Sequence, residues 1–177
     1  MWKKTSCLVG ALLLLSITIS VQAQKVSVGF DRAADFSKFR TYNWAKGSPA
    51  KNPQIDKEII ANIEQQLTLK GLTRTTDNAD VNISYSAAVM TGFDEAEVAR
   101  PGTWGPRAGS SNQVWQIKKG ALLITMKKGV NNEELWRATA TDTLSQDAST
   151  DVTKDMDKAR KKVRQAVEKM FKYYPPK

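Results

Sequence analysis

Val81-Asn82-Ile83-Ser84-Tyr85-Ser86-Ala87-Ala88-Val89 alternates apolar and small polar residues at a period of two, which marks a strand with one dry face and one wet face. A strand of this kind must pair with others and bury its dry face under something else. Downstream, Leu122, Ile124 and Met126 within Gln113 to Lys127 predict a second strand. Gly129 and Asn131-Asn132 then supply turn chemistry. Leu135 to Leu144 is the expected partner, with Trp136, Ala138 and Ala140 inward and Arg137, Thr139, Thr141 and Thr143 toward water. Upstream, Lys25 to Phe30 places Val26, Val28 and Phe30 on one side, and Arg40 to Ala45 makes a further strand.

Two helical patterns can cover this sheet. Asn52 is a good N-cap, Pro53 suits the first helical turn, and Ile55, Ile59, Ile63 and Leu67 recur every fourth residue. Gly71 can take the left-handed conformation that ends a helix, with Leu72 folding back on its last turn. From about Thr153 to Tyr173, Val152, Met156, Ala159, Val163, Val167 and Met170 form a second apolar stripe that Pro175 and Pro176 stop. The order strand, strand, helix, three strands, helix predicts an α+β domain: an antiparallel sheet of about five strands with two helices on one face.

Between two of these strands, Thr91 to Asn112 holds Gly92, Pro101, Gly102, Gly105, Pro106 and Gly109, a composition that sustains neither a helix nor a central strand. Long loops in compact domains often carry function. Arg100, Trp104, Arg107 and Trp115 in and beside it are of the types enriched at binding hot spots and are the candidate binding residues; a bland mobile loop is the alternative. Asp94, Glu95 and Glu97 near Trp104 and Trp115 leave a carboxylate-based glycan hydrolase formally open. They lack the spacing of an EF-hand calcium loop.

The N-terminus carries an address. Lys3 and Lys4 precede an apolar run from Leu8 to Ile19, and Val21-Gln22-Ala23 offers small residues two apart for cleavage before Gln24. A retained anchor is the competing reading, but Cys7 to Val21 is 15 residues where a spanning helix needs about 20. The expectation is a signal peptide over 1–23 and one domain over 24–177, periplasmic or secreted, with no transmembrane segment left after cleavage. Cys7 is the one cysteine and departs with the signal, so no disulfide is available in an oxidising compartment.

The formal net charge falls from +9 to +7 when Lys3 and Lys4 are removed. Outside the cytoplasm a basic surface points to an envelope protein, an anionic envelope polymer or lipid headgroups rather than nucleic acid. Lys158, Arg160, Lys161, Lys162, Arg164, Lys169 and Lys172 concentrate that charge in the last helix. They form either a solvated outer face or a contact with an anionic surface. With no histidine and no cysteine, the mature chain lacks the commonest general base, a thiolate nucleophile and the usual zinc and copper ligands. It carries no phosphate-cradling glycine loop, and no cofactor or metal is expected.

The chain resembles the bacterial envelope family catalogued as domain of unknown function 4136. The likeness lies at Asp35-Phe36-Ser37-Lys38-Phe39-Arg40-Thr41-Tyr42-Asn43-Trp44, Lys70-Gly71-Leu72, Ala79-Asp80-Val81-Asn82-Ile83-Ser84-Tyr85, Gly120-Ala121-Leu122, Leu135-Trp136-Arg137 and a final helix ending near proline. The resemblance implies an exported α+β domain, often a lipoprotein, with no catalytic residues to carry over. Here no cysteine follows the apolar run, so a soluble periplasmic form is expected. Tyr42, Trp44 and Trp136 are expected to pack in the sheet, and Asp80 to bind local backbone N–H groups in a turn. The functional expectation is a non-enzymatic binding or accessory module. N-terminal sequencing of the exported protein should begin at Gln24; a retained Met1 would overturn the cleavage assignment.

Overall fold

The computed structural model describes residues 24–93, 116–144 and 152–176. The elements run β1 (Lys25–Phe30), a short 3-10 turn at Phe36–Lys38, β2 (Thr41–Trp44), α1 (Pro53–Leu69), β3 (Thr73–Arg74), β4 (Val81–Phe93), β5 (Gln116–Lys128), β6 (Glu134–Leu144) and α2 (Val152–Phe171). The α+β class stands, with both helices packed on one sheet face. The strand order across the sheet is β1-β6-β5-β4-β2-β3.

Three details differ from the sequence expectation. The sheet has six strands rather than about five, and it is mixed rather than purely antiparallel: β2 lies parallel to both β4 and β3, with Tyr42 beside Val81 and Thr41 beside Thr73. The cause is the crossover. A helix between two adjacent strands returns the chain to its starting end, so α1 obliges β2 and β4 to run the same way. Consecutive β1 and β2 do not pair, because β1 takes the far edge against β6, with Val28 beside Ala138. The strand β4 also continues through Thr91, Gly92 and Phe93 into the stretch expected to be loop, its backbone paired with β5 as far as Phe93 beside Gln116.

The register assembles the dry face. Tyr85, Ile124 and Ala138 stand in one row and Ile83, Met126 and Trp136 in the next. Against them lie Ile59, Ile63 and Leu67 of α1 and Val167, Met170 and Phe171 of α2, all buried. Trp136 is fully enclosed, its ring centroid 5.4 Å from that of Phe171 and 5.7 Å from that of Tyr174. The opposite face carries Asn82, Ser84, Ser86, Thr139 and Thr141.

Capping follows the sequence. The Asn52 side chain accepts from the N–H groups of Gln54 and Ile55, and Gly71 adopts a φ of +82° while Leu72 N–H donates to the Leu67 carbonyl at 3.0 Å. Leu72 is buried beneath that turn. At its N-terminal end α1 is also tied to the sheet, because Asp56 Oδ1 accepts both the Tyr85 hydroxyl and the Ala50 N–H at 2.7 Å. Burial and that carboxylate raise the Tyr85 phenol well above its ordinary value. Gly47 admits no side chain, since a Cβ there would overlap the Tyr85 carbonyl oxygen.

Asp80 acts at long range rather than within its own turn. Its Oδ2 accepts the Arg40 N–H at 2.8 Å, the Thr41 N–H at 2.9 Å and the Thr41 hydroxyl at 3.0 Å, so it fastens the start of β4 to the start of β2. The two backbone N–H donors hold its carboxyl below the ordinary 3.8. A group depressed in the folded state contributes stability that is complete above its unfolded value and fades as pH falls below it. Replacing Asp80 with Ala is expected to cost about 2 kcal/mol in urea unfolding at neutral pH. The difference from the native chain should shrink below about pH 3.8, the ordinary carboxylate value. Equal stability of the two proteins at neutral pH would exclude the clamp.

Candidate functional site in the helical layer

Once the apolar stripe of α2 is spent on the sheet, its polar residues sort into two further stripes by helical geometry. Lys158, Lys161, Gln165, Lys169 and Lys172 recur at steps of three and four and are all exposed. At about 1.5 Å rise per residue the ridge from Lys158 to Lys172 is about 21 Å long. Lys158 stands close to Lys161 and Lys169 close to Lys172, within the roughly 8 Å screening length at physiological salt, while Lys161 and Lys169 are about 12 Å apart along the axis. No ion pair is formed by Lys158, Lys161, Lys169 or Lys172 among the described residues.

The adjacent stripe, Asp157, Arg160, Lys161, Arg164, Gln165 and Glu168, turns toward α1. With Glu58 of α1 it lines an open cleft of about 620 Å³. Glu58 is fixed there by the buried Asn62, whose amide donates to the Glu58 carbonyl at 2.7 Å and to its Oε1 at 2.9 Å. Arg160 is split in character. Its side chain remains 41% exposed and approaches Asp157 only at 3.8 Å, yet its Nε is buried with no hydrogen-bond partner.

One cation of the helix is committed to structure. Lys162 donates to the Thr143 carbonyl at 2.6 Å and pairs with Asp142 at 3.2 Å. The same carboxylate oxygen of Asp142 accepts from the Gln24 amide at 3.2 Å, which also reaches the Lys162 carbonyl at 2.9 Å. This network fixes the start of β1 to β6 and α2. The acid-base pair of Arg74 and Glu64, 3.2 Å apart, serves a similar purpose, because Glu64 also accepts the Trp44 indole N–H at 3.0 Å.

Of the residues singled out in the sequence, Tyr42 and Trp136 are buried and Trp44 packs against the core, as expected. The candidate binding residues Arg100, Trp104, Arg107 and Trp115 lie outside the described residues, as do Asp94, Glu95 and Glu97 and the segment 1–23. Among the described residues no group of three or more metal-ligating side chains comes together, and no helix is long and apolar enough to cross a membrane. The sequence shows the cleft only as one more charged flank of a basic helix. The meeting of Glu58 with that flank depends on how the two helices pack.

A family model described as Domain of unknown function (DUF4136) matches residues 26–176. No curated protein matches the chain. Among solved structures, a PDZ domain protein from Parabacteroides distasonis is similar at 16% identity and a TM-score of 0.56, over 86% of this chain and 35% of the other. The chain thus spans about a third of that protein, and the likeness shows a shared fold alone. The PelC dodecamer from Paraburkholderia phytofirmans is similar at 11% identity and a TM-score of 0.49, covering 84% of this chain and 94% of the other. A minor lipoprotein from Acinetobacter baumannii is similar at 12% identity and a TM-score of 0.46, over 76% and 91%.

The ridge should be chemically accessible where the structural lysine is not. Brief treatment with an amine-reactive reagent is expected to label Lys158, Lys161, Lys169 and Lys172 before Lys162, as read by peptide mass spectrometry. Labelling of Lys162 at the same rate would show that its ties to Asp142 and Thr143 do not hold in solution.

Proposed function

The chain belongs to the DUF4136 family, and on that premise we propose that it is an exported cell-envelope protein that acts by binding rather than by catalysis. Its ligand on this reading is an anionic polymer of the envelope, and the observation that carries the reading is the lysine ridge of α2. The export reading rests on the charged start, apolar run and small-residue cleavage site of 1–23. The binding reading rests on geometry.

A solvated face kept for solubility mixes signs or scatters them, whereas this ridge carries four lysines, one glutamine and no acid along its outward line. Two acids of α2, Asp157 and Glu168, line the adjoining flank, which shares Lys161 and Gln165 with the ridge. A membrane plane laid against the helical layer would touch both helices, yet the exposed residues of α1 are largely uncharged, namely Pro53, Gln54, Ala61, Gln65, Thr68 and Leu69 beside Lys57. A membrane-lying helix would also keep its apolar stripe free, and that of α2 is buried on the sheet. Positive charge drawn out along one helix suits a linear ligand better than a surface.

Binding of this kind releases counterions, so affinity falls steeply as salt rises. Polygalacturonate immobilised on resin should retain the protein at low salt and release it as salt is raised. The variant with Lys158, Lys161, Lys169 and Lys172 all replaced by Gln should lose most of that retention while keeping its circular dichroism spectrum, since all four side chains are exposed. Retention of the variant equal to that of the native protein, or binding to anionic lipid vesicles and not to the polymer, would refute the proposal.

A further inference from the structure

The sheet ends on one side at β1, whose outer edge meets no other strand among the described residues. The opposite edge is β3, two residues long and a poor template, whereas β1 runs for six. The backbone shows which groups of β1 point outward. The Asp31 N–H donates to the Leu135 carbonyl at 2.9 Å and so faces β6, and successive residues of a strand aim their N–H and C=O groups to opposite sides. Val26, Val28 and Phe30 therefore turn theirs away from the sheet, where no backbone partner meets them among the described residues.

The side chains of the same three residues lie on the dry face of the sheet. There α2 packs beside β1 but leaves Val26 and Val28 only half-buried and Phe30 41% exposed. We propose that a second copy of this chain covers this edge. Its β1 lies antiparallel to the first, about a two-fold axis perpendicular to the sheet at Val28, so that two six-stranded sheets become one.

Face, backbone and charge select the same register. Such an axis keeps dry face beside dry face only when opposed residue numbers add to an even sum; an odd sum sets apolar against polar. With Val28 at the axis, Val28 stands opposite Val28 of the second copy and Val26 opposite Phe30. Every outward N–H and C=O of these residues then meets a partner, and the exposed Phe30 ring gains an apolar neighbour. An axis one residue earlier, at Ser27, would set Phe30 against the Gln24 amide. The register at Val28 also places Lys25 of each copy across from Asp31 of the other. Lys25 forms no ion pair among the described residues, and Asp31 commits one carboxylate oxygen to the Ala33 N–H at 2.8 Å. An exposed pair of this kind adds little affinity but opposes the wrong register. One strand buries less than the roughly 1,200 Å² of stable interfaces, so the association is reversible. The same rotation keeps both helical layers on one side and sets the two α2 ridges on a common face.

The segment after Ala23 has no cysteine, so introduced thiols report the register directly. Ser27 is exposed on the wet face and a Cβ at Gly29 would meet nothing within 4 Å, so Ser27→Cys and Gly29→Cys are expected to fold as the native chain does. In the proposed register these two positions face each other at the roughly 4.5 Å Cα spacing of a non-hydrogen-bonded pair, within disulfide reach, while each stands too far from its own counterpart. Mild oxidation of an equal mixture, at high protein concentration and at salt that screens two basic chains, should link position 27 to position 29 about tenfold more than either variant links to itself. Val28→Pro removes an outward N–H that pairing with β6 does not use, and should turn the dimer to monomer in sedimentation equilibrium with an unchanged circular dichroism spectrum. Ser27→Cys linking to itself as readily as to Gly29→Cys overturns the register. A native chain that stays monomeric and forms no crosslink, or that crosslinks in cells only to a different protein, overturns the second copy as the occupant. Polymer retention by the ridge is read separately and stands or falls on its own.

Discussion

The arrangement rests on a single dry face of one sheet. Val81, Ile83 and Tyr85 on β4, Leu122, Ile124 and Met126 on β5, and Trp136, Ala138 and Ala140 on β6 fall in register and exclude water only when helices lie over them. Burial of apolar area is the dominant favourable term in folding, so this requirement fixes where both helices go and which of their faces they use. Everything polar on α2 is consequently displaced to the outside or toward α1. The lysine ridge and the charged cleft are therefore by-products of the packing that makes the core, and they keep their places for as long as it holds.

Around that core, short polar contacts decide connectivity. Asp80 secures β4 beside β2 through three hydrogen bonds to Arg40 and Thr41, and Asp56 does the same for the start of α1 through Tyr85 and Ala50. Each carboxylate commits one oxygen to structural donors. Cations divide in the same way. Lys162 is held by Asp142 and the Thr143 carbonyl, whereas the ridge lysines form no ion pair among the described residues.

Much of the fold was legible because alternation and helical periodicity are local. The strands at Val81 and Leu135, the Asn52 cap, the Gly71 stop and the burial of Leu72 all follow from neighbouring residues. Strand direction was harder to read. That β2 runs parallel to β4 depends on α1 acting as a crossover, and β3, two residues long, is too short to leave a pattern. The role of Asp80 was misjudged as local because its partners lie 39 and 40 residues away. The loop candidates Arg100, Trp104, Arg107 and Trp115 lie outside the described residues, and the ridge of α2 becomes distinct from its flank only once the apolar stripe is fixed on the sheet.

What the sequence by itself determined was the class of fold, the strongly basic character of the chain and the lack of histidine and cysteine chemistry in the segment after Ala23, because these depend on composition and short-range pattern. Tertiary structure alone decided which cations are spent and which are free, and it alone placed Glu58 across from Arg160. That information resides in pairings between distant segments, Glu58 on α1 with the flank of α2, and Gln24 with Asp142 and Lys162. No local period encodes such pairings; they follow from how the two helices settle on the sheet.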